Sequence, residues 1–221
     1  MDQRATIEWR DGRVPIATRF DAPYYSLDDG LAETEFVFLT GNDLPARFAP
    51  GFLIAELGFG TALSAILAWR AWTAAGLTTP LRFTSLEAFP MSQADRAKAL
   101  ALWPEIAPDA AALAQGLGDG TRFQTATLDL TIVTGDARQT VPTWTGQADA
   151  WFLDGFSPAK NPELWDPALL AQVGQRTTAS GTCATYTAAG HVRRAHADAG
   201  FTVTRIPGFG RKRHMTRGTK A

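Results

Sequence analysis

Apolar and polar residues follow two rhythms along this chain, and the switches between them mark its elements. Short runs rich in β-branched, aromatic and leucine residues fall at Phe36–Thr40, Phe52–Leu57, Arg82–Glu87, Leu128–Thr134, Ala150–Asp154, Gly181–Thr187 and Phe201–Ile206. Runs of that length and composition predict strands. Longer segments with helical character lie between them, at Thr61–Ala75, Ser92–Leu102, Glu163–Thr177 and Ala188–Ala199. The second opens on Ser92 and Asp95, a pair like a capping box. Such alternation predicts an α/β fold with a parallel sheet covered on both faces, and it puts a ligand site at the carboxyl ends of the strands. The first 50 residues depart from the rhythm. Asp21-Ala22-Pro23-Tyr24-Tyr25 and a turn at Gly30 precede Phe36–Thr40, which predicts a small β-lobe or hairpin over residues 1–50 laid against a main domain over 51–221.

Composition narrows the class. The 221 residues suffice for one domain with a proper core. With 45% hydrophobic and 19% charged residues the chain is neither disordered nor a fibrous repeat. Its one cysteine, Cys183, excludes an internal disulfide. No Cys/His cluster has ligand spacing, so no metal site is expected, and the usage fits a reducing compartment. The polar start, Met1–Arg13, does not read as a signal peptide or anchor. The longest apolar stretch, Phe52–Trp72, is interrupted by Glu56 and Arg70 and is no membrane span. A soluble cytoplasmic protein is expected.

A formal net charge of −1 argues against nonspecific nucleic-acid binding by the whole chain. The distribution changes that picture. Arg205, Arg211, Lys212, Arg213, Arg217 and Lys220 fall in one acid-free stretch, either a solvated tail or the place where a polyanion binds first.

Candidate chemistry sits at strand ends. In Glu56-Leu57-Gly58-Phe59-Gly60-Thr61-Ala62 an apolar strand runs into a glycine turn and then a helix. Gly58 and Gly60 permit a tight turn and close approach to a ligand, with free N–H groups beyond them. A dinucleotide fingerprint needs a third glycine where Leu63 stands, which weakens a nicotinamide or flavin assignment. An acid before the glycines instead suits the cationic amino-acid end of S-adenosylmethionine. Glu87 closes the next strand, where a carboxylate can accept ribose hydroxyls. Asp136 follows a third strand and can accept an adenine amino group. Singly, each acid reads equally well as a cap or turn residue.

A fourth acid, Asp154, ends an apolar strand and opens Gly155-Phe156-Ser157-Pro158-Ala159-Lys160-Asn161-Pro162, a loop stiffened by two prolines. A carboxylate there can orient an ammonium and take its proton, with Phe156 packed on the substrate or facing a cation. The alternative is a turn acid beside a core phenylalanine. Cys183 reads as a small core residue, Tyr186 as a possible border of the pocket, and the three histidines as surface residues.

Taken in order, Glu56–Thr61, Leu86-Glu87-Ala88-Phe89-Pro90, Leu102-Trp103-Pro104, Gly135-Asp136-Ala137-Arg138, Phe152–Pro162 with Trp165, and Gly208-Phe209-Gly210-Arg211-Lys212-Arg213 resemble one family. It is the methyltransferase domain of the bacterial bifunctional tRNA wobble-uridine enzymes, which also occurs alone. Phe20–Ser26, Gly30-Leu31-Ala32-Glu33 and Val37-Phe38-Leu39 extend the likeness over nearly the whole chain. The resemblance implies a Rossmann-like class I S-adenosylmethionine-dependent fold with a small N-terminal β-lobe. It implies methylation of the 5-aminomethyl group of (2-thio)uridine at tRNA position 34. By position it assigns Glu56, Gly58, Phe59, Gly60, Glu87, Asp136 and Ala137 to S-adenosyl-L-methionine, and Asp154 and Phe156 to the amine. Asn161, Arg211, Lys212 and Arg213 would contact tRNA at the anticodon stem-loop. Two departures stand out: Ala62 where the family usually has glycine, and Ala22 after Asp21 where it usually has consecutive acids. The flavin-oxidase portion of the bifunctional enzymes has no counterpart in this sequence. Other readings are a methyltransferase for a small-molecule or protein amine and a non-catalytic tRNA- or partner-binding module.

Overall fold

The computed structural model describes residues 4–26 and 29–221, so the first three residues of the polar start lie outside it. Strands β1 (Ile7–Arg10), β2 (Val14–Ala17) and β3 (Ala22–Pro23) form a small antiparallel meander. Next come α1 (Gly30–Thr34), a π-helical turn over Glu35–Leu39 and a 3-10 turn over Thr40–Asn42. The remainder alternates: β4 (Leu53–Leu57), α2 (Leu63–Ala74), β5 (Leu81–Glu87), α3 (Gln93–Leu100), α4 (Ala107–Leu117), β6 (Arg122–Gln124) and β7 (Leu128–Thr134). It closes with α5 (Ala137–Thr143), β8 (Ala148–Leu153), α6 (Pro167–Gln175), β9 (Thr177–Thr185), α7 (Gly190–Asp198), β10 (Phe201–Pro207) and β11 (His214–Lys220).

The large sheet has the order β10-β11-β9-β8-β4-β5-β7-β6. Its centre, β9-β8-β4-β5-β7, is parallel. The predicted all-parallel sheet is corrected at both sides, because β6 runs antiparallel to β7 and β11 runs antiparallel to β9 and β10. Central strands buried on both faces need apolar side chains at every position. In β4 Ile54 turns to a core shared with Ile66 of α2, while Ala55 and Leu57 turn to a second core with Leu169 and Val192 of α6 and α7. The strand order reverses at β4 and β8, where an open α/β sheet leaves a crevice for a ligand.

Two expectations near the start fail for one physical reason. Phe36–Thr40 is helical, and Gly30 opens α1, capped by the Asp29 carboxylate, which accepts from the Ala32 N–H at 3.0 Å. A short apolar run is equally a buried strand or a buried helical turn until its packing is known. Val37, Phe38 and Leu39 are buried in the main core, with the Phe38 ring stacked 5.3 Å from that of Phe152 on β8.

The basic C-terminal stretch is no loose tail. β11 lies between β9 and β10, and a Cβ on Gly218 would come 2.9 Å from Cys183 Sγ. His196, expected at the surface, is fully buried in α7. Desolvation drives its pKa down to about 4, and Nδ1 lies 2.8 Å from the Val192 carbonyl. Cys183 is buried, as expected of a small core residue.

Candidate active site

A cavity of about 950 Å³ opens beyond the carboxyl ends of the central strands. One wall comes from the turns after β4, β5, β7 and β8, and the other from residues between Arg19 and Phe38.

Gly58 carries the first turn in a left-handed conformation, φ +94°. A Cβ there would sit 2.3 Å from the Asp154 carbonyl oxygen. Its lack of a side chain therefore lets the ends of β4 and β8 touch, beyond the ligand approach read from the sequence. Asp154 N–H donates to the Leu57 carbonyl at 3.1 Å, so this contact places Asp154. Gly60 also has positive φ, and its N–H donates to Glu87 Oε2 at 3.1 Å. Ala62 adopts φ +70° at the start of α2, where an L-residue costs on the order of 1 kcal/mol and glycine is unstrained. Phe59 reaches the cavity, but its side chain is buried in the main core.

Glu87 lines the cavity, its carboxylate also accepting from the Phe89 N–H at 2.7 Å. Asp136 caps α5, and Arg138 Nη2 pairs with its Oδ2 at 2.6 Å. The hydrogen bond from Arg138 is the main reason the Asp136 carboxyl lies below its usual range. Asp136 and Ala137 both line the cavity.

Glu56 is placed differently from the sequence expectation. It is 0% exposed and does not line the cavity. Ser64 and Ser85 hydroxyls donate to its two oxygens, the latter at 2.7 Å. Desolvation raises its pKa to about 8 against those two bonds. Its carboxyl thus braces β4, β5 and α2 beneath the cavity.

Asp154 faces the cavity. Desolvation pushes its pKa up to about 7, opposed by Lys212 and reinforced by Glu33 and Glu87. A carboxylate tuned near neutrality is suited to accept a proton at physiological pH. The following loop is held by Trp165, whose indole N–H donates to the Phe156 carbonyl at 2.8 Å. Phe156 packs 4.8 Å from Phe20 and 5.2 Å from Tyr24, making an aromatic wall across the cavity. Lys160 pairs with Asp21 at 2.6 Å, joining the loop to the N-terminal segment, and Asn161 lines the cavity beside it.

The basic trio divides. Lys212 turns into the cavity, where Nζ donates to Glu33 Oε1 at 2.5 Å and stands 4.4 Å from the centre of the Tyr186 ring. Arg211 and Arg213 are exposed outside the cavity. Sequence reasoning attached no role to Phe20, Tyr24 or Glu33. Their only signal was membership in the Phe20–Ser26 and Gly30–Glu33 segments, whose strand and turn assignment hid the cavity face. Tyr186 does border the pocket.

A family described as S-adenosyl-L-methionine-dependent methyltransferase matches residues 110–221. The relatives agree over nearly the whole chain. The tRNA 5-methylaminomethyl-2-thiouridine biosynthesis bifunctional protein MnmC of Pseudomonas aeruginosa (strain UCBPP-PA14) is 42% identical over 98% of this chain and 35% of its own length. The protein of the same name from Stutzerimonas stutzeri (strain A1501) is 40% identical over 98% of this chain and 34% of its own. The chain belongs to the S-adenosyl-L-methionine-dependent methyltransferases. It spans about a third of the length of these curated relatives.

Solved structures agree on the fold. MNMC2 from Aquifex aeolicus superposes with a TM-score of 0.80 at 24% identity, covering 98% of this chain and 71% of that one. TrmN from Thermus thermophilus gives 0.52 at 18%, covering 82% and 47%. The methyltransferase's cavity fits its cofactor by size and donor chemistry. Its volume lies in the range of small-molecule sites. Glu87 presents carboxylate oxygens that each accept one backbone N–H and keep a lone pair for a hydroxyl donor, Asp136 lines the cavity with its oxygens engaged by Arg138, and Gly60 leaves the turn bare. Glu87, Asp136, Ala137 and Gly60 would hold the adenosine part.

Proposed function

We propose that the protein methylates the primary amine of 5-aminomethyl-(2-thio)uridine at wobble position 34 of tRNA, giving the 5-methylaminomethyl nucleoside. The observation that carries this reading is Asp154, set on a glycine-permitted contact beside an aromatic wall, with its carboxyl raised to about 7. An alkylammonium has a pKa near that of lysine, about 10, so it arrives protonated and must lose a proton before it can attack. Asp154 takes that proton, while Phe156, Phe20 and Tyr24 hold the nucleoside and keep water out. S-adenosylmethionine, when bound, supplies a methyl group on a positively charged sulfur, which the amine takes as the thioether leaves. Positioning supplies most of the remaining acceleration.

The relatives' printed names support the tRNA substrate. So does a basic cluster around His214, two residues along the chain from the cavity-lining Lys212. Desolvation, and then the charges of Arg205, Arg213 and Arg193, hold His214 below its usual pKa range. Such a cluster suits the phosphates of an anticodon stem-loop. In this reading residues 1–50 form the substrate-side lobe of a methyltransferase domain over 51–221, and the protein works in the cytoplasm. No helix among the described residues is long and apolar enough to cross a membrane. The test is incubation with S-adenosylmethionine and tRNA from a strain lacking this methylation, followed by nucleoside mass spectrometry. Conversion of the aminomethyl nucleoside to its methylamino form is expected; cofactor binding without conversion favours a small-molecule or protein amine.

A further inference from the structure

Lys212 places an alkylammonium inside the cavity, and an alkylammonium is what the proposed substrate carries. Its Nζ is held by the Glu33 carboxylate at 2.5 Å and by the face of Tyr186 at 4.4 Å. Its charge is also the largest opposing influence on the raised Asp154 carboxyl, which is half-buried at the cavity wall. Carboxylate and aromatic face are the usual elements of an ammonium site. The seat is more enclosed than its occupant: the Glu33 side chain is 10% exposed and that of Lys212 45%. The tyrosine of the seat is also held without the lysine. Tyr186 donates its hydroxyl to the Gly155 carbonyl at 2.8 Å, next to Asp154, and Glu33 is carried by α1.

We infer that Glu33, Tyr186 and Asp154 form the recognition seat for the substrate's ammonium, and that Lys212 fills this seat in the free protein and leaves as the substrate enters. This rests on the tRNA amine reading above. Glu33 is nearly buried, so a lost cation partner must be replaced, and the incoming aminomethyl group replaces it. Lys212 follows Arg211 and precedes Arg213, so on leaving the cavity it joins the exposed basic surface that meets phosphate. Glu33 and Tyr186 are thereby specificity residues: a uridine without the amine cannot displace Lys212 at no cost.

The test compares two anticodon stem-loop RNAs, one with 5-aminomethyluridine and one with plain uridine at the same position. Binding is measured without S-adenosylmethionine, and methyl transfer with it. The wild type is expected to favour the amine-bearing RNA by about tenfold, the size of one charge-assisted hydrogen bond. Glu33→Gln should bring that ratio close to one while holding plain-uridine affinity within about twofold, which also reports an intact fold. Lys212→Met should raise the ratio about threefold or more even as both affinities fall, because it vacates the seat. An unchanged ratio in Glu33→Gln, or equal losses for both RNAs in Lys212→Met, overturns the seat. If the wild type transfers no methyl to the amine-bearing RNA, the function reading itself fails and the seat falls with it.

Discussion

In the proposed reaction the chemistry turns on Asp154. A base must be ionised to accept a proton, so with its carboxyl raised to about 7, kcat/KM should climb with pH and level off above neutrality. Asp154→Asn should cut turnover on the order of 100-fold or more and flatten that limb, with cofactor affinity, measured by calorimetry, within about twofold. A pH profile of the variant that keeps the inflection would remove Asp154 from the role. Glu56 makes a different prediction. Its folded pKa of about 8 lies above its unfolded value, so the folded state keeps a proton that the unfolded chain releases. The contribution of Glu56 to stability is therefore full below about 4.5 and is lost as pH rises toward 8. Denaturant midpoints of Glu56→Gln should lack that decline and exceed the wild type's at pH 8. The sequence made the strand-end acids legible, because a carboxylate after an apolar run before glycine is unusual. It could not tell that Glu56 points beneath the cavity while Glu33, 121 positions from Asp154, points into it.

Among elements, the meeting of β4 and β8 sets the site. Gly58→Ala adds a methyl 2.3 Å from a backbone oxygen at a left-handed φ. It should destabilise the protein by about 3 kcal/mol in urea unfolding and lower activity by moving Asp154, whereas Ala62→Gly relieves strain and should not. A stability loss under about 0.5 kcal/mol for Gly58→Ala would refute this account of the turn. β4 and β8 were readable because strands buried on both faces are nearly continuous apolar runs, and β7 because Leu128, Leu130 and Ile132 alternate with half-buried positions. β11 was not, since His214-Met215-Thr216-Arg217-Gly218-Thr219-Lys220 holds one large apolar residue and owes its conformation to pairing with β9 and β10. Helices α4 and α5 also went unread; α5 is short and carries Pro142.

For the molecule as a whole, the N-terminal segment and the C-terminal strand pair converge on one cavity. Asp21 meets Lys160, Phe20 and Tyr24 meet Phe156, and Glu33 meets Lys212. Substrate entry between these walls should be guided by the basic cluster outside. Replacing Arg205 and Arg213 by alanine should weaken binding to a stem-loop RNA irrespective of its modification. It should also reduce the slope of log affinity against log salt by roughly one to two. An unaltered slope would place the phosphates elsewhere.

The most direct test of the central claim is methyl transfer to a synthetic anticodon stem-loop bearing a single 5-aminomethyluridine, beside one bearing 5-hydroxymethyluridine. The account predicts that labelled methyl from S-adenosylmethionine appears on the amine nitrogen of the first RNA and not on the second, and that Asp154→Asn slows it on the order of 100-fold or more. Equal labelling of both RNAs, or labelling of the amine by Asp154→Asn at the wild-type rate, would contradict it.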